Sequence, residues 1–297
     1  ASDVYKRQDW YIDQMKRRAY ESSPIPSQME HAQYAFGVRD YIRYENLLDS
    51  IRWDINDFVD WVASDNPRTK YRNLITQSGG DTSDYPENAL ETVFYPTNKI
   101  RLPVNKENVI KSGLVKEKDS DLILDYIDID LPESIITKNQ IMMLDILANN
   151  NWERPIYFTG GSYEEAEYIW MKDYLQLDGL VYKLVPIKTS IENNPYEMGR
   201  IDSDLMYDIV KKWSWGNSES DEIYHDPETR KNSISFRGNL SRLSEKLISE
   251  GEYEKAEEIL DLAFSKMPID YYGYYSLWTP LVLSLIHISE PTRHSAI

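Results

Sequence analysis

Cysteine is absent and histidine scarce, so the residues able to do chemistry in this chain are carboxylates, aromatics and backbone amides at glycine turns. Asp128-Ile129-Asp130 sets two carboxylates on one side of an extended backbone, as some nucleotide-sugar enzymes do to hold a divalent cation. Their alternation with Ile127 and Ile129 equally describes a half-buried strand with an acidic outer face, and in so acidic a chain that reading is preferred. No metal and no cofactor is assigned. "FTGGS" puts Thr159, Gly160 and Gly161 between an expected strand and an expected helix start, where backbone N–H groups attract anions. It lacks the third glycine of a dinucleotide fingerprint and the lysine of a P-loop. "DWYIDQ" offers Trp10 and Tyr11 for stacking and Gln14 for hydrogen bonding, so these three and the Thr159–Gly161 turn form the expected ligand crevice. Tyr253, Tyr271 and Tyr274 are the expected contacts to a protein partner. His31 and His225 are expected to be isolated surface or loop histidines.

The elements that would carry these residues change character along the chain. "DWYIDQMKRRAYES" is expected to be helical and to stop before the prolines of "SPIPS". "LLDSIRWDINDFVDWVAS" predicts one amphipathic helix with Leu48, Ile51, Ile55, Phe58 and Val62 as its apolar stripe. From about Ser64 to Lys118 the composition predicts a long loop with short strands; "LILDYIDIDLP" then predicts a strand ended by Pro132. Thr137 and Gln140 have capping-box spacing, as do Ser162 and Glu165. "RPIYFTGG", "SYEEAEYIWMKDYLQL" and "GLVYKLVPIK" predict strand, helix and strand, hence a right-handed parallel crossover. The expected fold is therefore α/β, with a partly parallel sheet and flanking helices over residues 9–205, and a connector at 206–235. An all-α hairpin follows over 236–283, with Leu240, Leu243, Ser244 and Leu247 on one helix, Gly251 and Tyr253 at the turn, and Ala256, Leu260 and Ala263 on the next, before Pro268. That spacing resembles a tetratricopeptide repeat, cut short after Leu283.

Both ends stand apart. "ASDVYKRQ" and "SLIHISEPTR" back-translate to the two ends of a DNA-library adapter, so Ala1–Gln8 and Ser284–Ile297 are expected to be translated adapter. Setting them aside removes His287, His294 and the apolar tail that would otherwise suggest a membrane span. The formal charge of −17 disfavours polyanion partners, so nucleic acid is not expected to bind. Without cysteine there is no disulfide or thiolate metal site, and the redox compartment stays open.

"DWYIDQMKRRAYESSPIP", "MMLDILANNNWERPIYFTGG", "YLQLDGLVYKLVPIK" and "IDSDLMYDIVKKWSWGN", in this order and followed by the repeat, resemble the C-terminal soluble region of a family of multi-spanning bacterial glycosyltransferases related to protein O-mannosyltransferases. The resemblance implies a parent enzyme in a Gram-negative inner membrane that moves a sugar from a lipid-phosphate donor to a protein or glycan acceptor. This region would be periplasmic, and its partners would be the parent's own membrane part, the acceptor and possible proteins on the repeats. The catalytic loop of that family is not matched here, so no catalytic residue is carried over. A partner-holding scaffold without sugar contact, or a free-standing enzyme, are the alternatives.

Overall fold

The computed structural model describes residues 16–17, 21–48, 50–159, 167–189 and 198–273. Its contacts divide these into two compact units. The first runs to Pro155 and takes in Glu167–Met171 and Pro186–Lys188. In it, β1 (Tyr41–Tyr44) precedes β2 (Trp53–Asp54), and β2 leads directly into α1 (Ile55–Ala63). The expected long helix is thus cut in two. Leu47 and Leu48 donate their N–H groups to the Pro96 carbonyl at 3.2 and 3.0 Å, and Trp53 and Asp54 pair with a strand, so the helix starts only where the Asp54 carboxylate caps Asn56 at 2.8 Å. Ile55, Phe58 and Val62 are buried as predicted, while Ile51 is exposed.

The stretch expected to be a loop with short strands has the strands β3 (Phe94–Tyr95) and β4 (Lys99–Pro103), and beside them the helices α2 (Tyr71–Gln77), α3 (Glu87–Leu90) and α4 (Lys106–Lys111). Gly79, at φ +77°, lies in the turn after α2, and Arg72 ties α2 to α3 through Glu87 and Glu91. The strand β5 (Tyr126–Asp130) lies where its alternation predicts, with Ile127 and Ile129 buried. β6 (Ile135–Thr137) then enters α5 (Lys138–Asn149). The Gln140 side chain accepts the Thr137 N–H at 2.9 Å, closing the predicted capping box. Two small mixed sheets result, ordered β3-β1-β6 and β2-β4-β5, each with one parallel and one antiparallel pair. Their strands bury Ile42, Tyr95, Ile100 and Ile136, and the helices bury Phe58 and Leu144.

A carboxylate is held inside this unit. Asp145 of α5 is fully buried, and it accepts hydrogen bonds from Lys16 Nζ at 2.9 Å, Tyr34 at 2.8 Å, the Gln28 backbone N–H at 3.0 Å, Asn149 at 2.9 Å and the Ser27 hydroxyl. Lys16 is itself buried. Burial first, and then the nearby Asp145 charge, push the Tyr34 phenol far above its ordinary range, so it remains a donor.

The second unit begins with β7 (Tyr157–Thr159), followed by β8 (Leu175–Asp178) and β9 (Val181–Leu184). Here the predicted parallel crossover is overturned. β9 lies between β7 and β8 and is antiparallel to both. Glu167–Tyr174 is a 3-10 segment interrupted at Met171, and "LQLD", expected to end a helix, is a strand instead. It turns back through the two-residue loop Gly179–Leu180, with Gly179 at φ +71° as such a hairpin requires. On one sheet face Asp178 is bonded to Gln176 at 2.8 Å and paired with Lys183 at 3.0 Å, all three buried.

Helices complete this unit: α6 (Ser203–Val210), α7 (Pro227–Ser249), α8 (Tyr253–Lys266) and the short α9 (Ile269–Tyr272). α7 starts well before the predicted hairpin, at Pro227, because Asp226 caps Glu228 and Thr229. Leu240, Leu243, Ser244, Leu247, Ala256, Leu260 and Ala263 are all buried, and Gly251 turns the chain at φ +82°. The molecule is thus mixed α/β with small mixed sheets, and among the described residues no helix is long and apolar enough to cross a membrane.

Removing one partner of a buried ion pair leaves the other charge uncompensated. Asp145→Ala is therefore expected to lower stability by about 3–5 kcal/mol, with Asp145→Asn intermediate, in urea unfolding followed by circular dichroism. A loss within the error of that measurement would show that Asp145 does not hold the unit together.

Candidate binding groove

The second unit contains a groove of about 240 Å³ built by four pieces of chain. Ser214, Trp215 and Ser218 come from the segment after α6; Thr229, Asn232, Ser233 and Phe236 lie along α7; Met267 follows α8; Tyr272 ends α9. The positions on α7 follow from helical spacing, since 229, 232, 233 and 236 share one face. None of these residues carries a charge at neutral pH.

Its aromatic wall is braced from behind. Trp213 meets Trp215 edge-on at 5.5 Å and Phe236 edge-on at 5.5 Å, and Trp215 lies 6.2 Å from Phe236. A Cβ built on Gly179 would stand 3.0 Å from the Trp213 ring and 3.2 Å from Ile209, so the hairpin glycine makes room for the bracing indole. Asn239 of α7 donates to the Gly179 carbonyl at 2.8 Å and ties the turn to the helix.

The floor is polar and fixed. The Tyr272 hydroxyl lies 3.1 Å from the Ser218 carbonyl and 3.2 Å from His225 Nδ1, while the Ser218 hydroxyl donates to the Lys266 carbonyl at 2.7 Å. His225 Nε2 lies 2.9 Å from the Ser220 carbonyl, which places a proton on that nitrogen. Burial raises the Tyr272 phenol above its usual range, keeping it protonated. His225 is therefore no isolated loop residue: it is buried, and its ring stacks on Tyr271 at 5.2 Å. His31 is exposed.

Of the residues singled out from the sequence, Trp10, Tyr11, Gln14, Gly160, Gly161 and Tyr274 lie outside the described residues. Thr159 is exposed at the end of β7, opposite Val181. Since this sheet is antiparallel, the argument for a crevice at the carboxyl ends of parallel strands does not apply to it. Tyr253 is exposed at the start of α8, and Tyr271 sits beside the groove floor on His225. Trp215, Phe236 and Tyr272 were not singled out, although the Trp-Ser-Trp of "KKWSWGN" signalled paired aromatics.

In the first unit, the aspartates of β5 are held by arginines. Arg101 forks onto Asp128 at 2.7 and 3.1 Å and stacks over Tyr126 at 3.6 Å; Arg52 reaches Asp128 at 3.5 Å and Asp130 at 2.9 Å. Cations already occupy the acidic face, in keeping with the preferred strand reading.

The sequence model of the TMEM260-associated domain 2 family matches residues 3–205. The chain belongs to that family. No curated protein and no solved structure matches it significantly. The family match takes in all three sheets and the start of α6, and with them Gly179; the groove's own lining begins beyond it, at Ser214.

The Arg101 hydrogen bonds, with the Arg52 charge, hold the Asp128 carboxyl below the ordinary carboxylate range. A lowered folded value means stability that is present above the unfolded carboxylate pKa, about 3.9, and lost as pH falls through the folded value. Arg101→Gln should move the Asp128 midpoint upward in a carboxyl NMR titration and shrink this acid-side loss; an unmoved midpoint would remove Arg101 as the cause.

Proposed function

We propose that this chain is the acceptor-contacting accessory region of a membrane glycosyltransferase of the protein O-mannosyltransferase type. Its sugar donor would be lipid-linked, and the region would face the periplasm of a Gram-negative cell beside the parent's membrane part. Membership of a TMEM260-associated domain family and the four sequence stretches quoted above support the parent. The observation that carries the contact role is the braced, uncharged aromatic groove in a chain of charge −17. Such a surface suits a neutral ligand, and its lining holds no cationic side chain to pair with a phosphate. In the full-length enzyme, Trp215→Ala is expected to raise the acceptor KM about tenfold while kcat stays within about twofold, since contact away from the reacting atoms is lost. An unchanged KM in a folded variant would defeat this reading.

A second reading is favoured by the α7–α8 hairpin. Its Leu240, Leu247, Ala256 and Ala263 are buried, Gly251 turns the chain and Tyr253 is exposed, which supports the resemblance of this stretch to a tetratricopeptide repeat. On this reading the region scaffolds an envelope complex. Loss of a co-purifying partner on Tyr253→Ala, with acceptor KM unchanged by Trp215→Ala, would select the scaffold.

A further inference from the structure

We infer that the groove is a subsite for a single neutral pyranose ring, a reading that rests on the acceptor-contact role proposed above. Size is the first argument. At about 240 Å³ the groove lies below the ~300–1,000 Å³ of sites for drug-sized ligands, so it takes one ring and not an extended peptide.

Charge is the second. No lining side chain is ionised, and the chain as a whole is strongly acidic. A sugar phosphate or uronate would meet an unfavourable field and no cationic side chain among the lining residues.

Surface chemistry is the third. Trp215 and Phe236 present flat apolar rings, against which the C–H face of a pyranose stacks, with the ring C–H groups directed at the π-cloud. Around them, exposed Ser214 and Asn232 offer groups that both donate and accept, matching sugar hydroxyls, which also do both. An apolar or aromatic peptide side chain would cover the same groups and leave them unpaired, which is why a saccharide is favoured over a peptide anchor. The Trp213 brace means that the stacking wall exists before the ligand arrives, so little order has to be imposed on binding.

The test uses the full chain and methyl pyranosides of mannose, glucose and galactose, read by tryptophan fluorescence and saturation-transfer NMR. Hexose 1-phosphate and N-acetylphenylalaninamide are the charged and peptide-like comparators. At least one methyl pyranoside is expected to bind and to outcompete both comparators. Trp215→Ala should weaken it about tenfold, and Asn232→Ala about threefold with helix content unchanged, as for a stacking anchor and a rim contact. Because Asn232 is an exposed residue of α7, its variant keeps the test usable if Trp215→Ala fails to fold. Binding of no methyl pyranoside, preference for the peptide comparator, or indifference to both substitutions would overturn the saccharide assignment. The acceptor-contact reading fails separately, by an unchanged acceptor KM in the full-length enzyme.

Discussion

A buried carboxylate, Asp145, closes the first unit. Asp145 sits on the core side of α5, and its oxygens gather donors from residue 16, from residues 27, 28 and 34, and from its own helix. A charge in that position is costly unless both oxygens are saturated. The N-terminal segment supplies most of the donors, so it must lie against α5 at this point for the Asp145 carboxylate to be buried. Among its described residues the regular structure is a 3-10 turn at His31–Tyr34, and polar satisfaction ties them to α5. With both its oxygens engaged by donors, Asp145 acts as a structural anchor.

The second unit is organised differently, by aromatic packing on a glycine turn. Trp213 has the hairpin on one side and the groove wall on the other. Function, on the reading proposed here, sits where the polar network and the aromatic wall meet. Tyr272 belongs to both: its ring lines the groove, and its hydroxyl lies between Ser218 and His225.

Local patterns were the legible part of the fold. The period of two in "YIDID" gives β5 its buried isoleucines, the Thr137–Gln140 spacing starts α5, and the small and large residues of the C-terminal hairpin are buried where they were placed. Pairing between distant segments was not legible. "SYEEAEYIWMKDYLQL" has a helix-compatible period, but Leu175 and Leu177 alternate just as well, and only the neighbouring β9 decides between the two. Between Ser64 and Lys118, Gly, Asn and Ser mark the ends of short helices, and such punctuation is easily taken for continuous loop. Asp145 did leave a trace, since it stands four residues after Ile141 on the apolar stripe of α5. The groove left less, because its lining comes from four pieces of chain that only the fold brings together.

The glycine at 179 carries a further meaning for comparing related chains. It lies within the stretch matched by the family, whereas the aromatic wall it supports lies outside that stretch. A relative with any side chain at this turn would face both a strained backbone and a Trp213 that has to give by a few tenths of an ångström, disturbing the brace behind its Trp215 and Phe236 equivalents. The residue at this one turn is thus a diagnostic character: it sorts relatives that can own the groove from those that merely share the sheet.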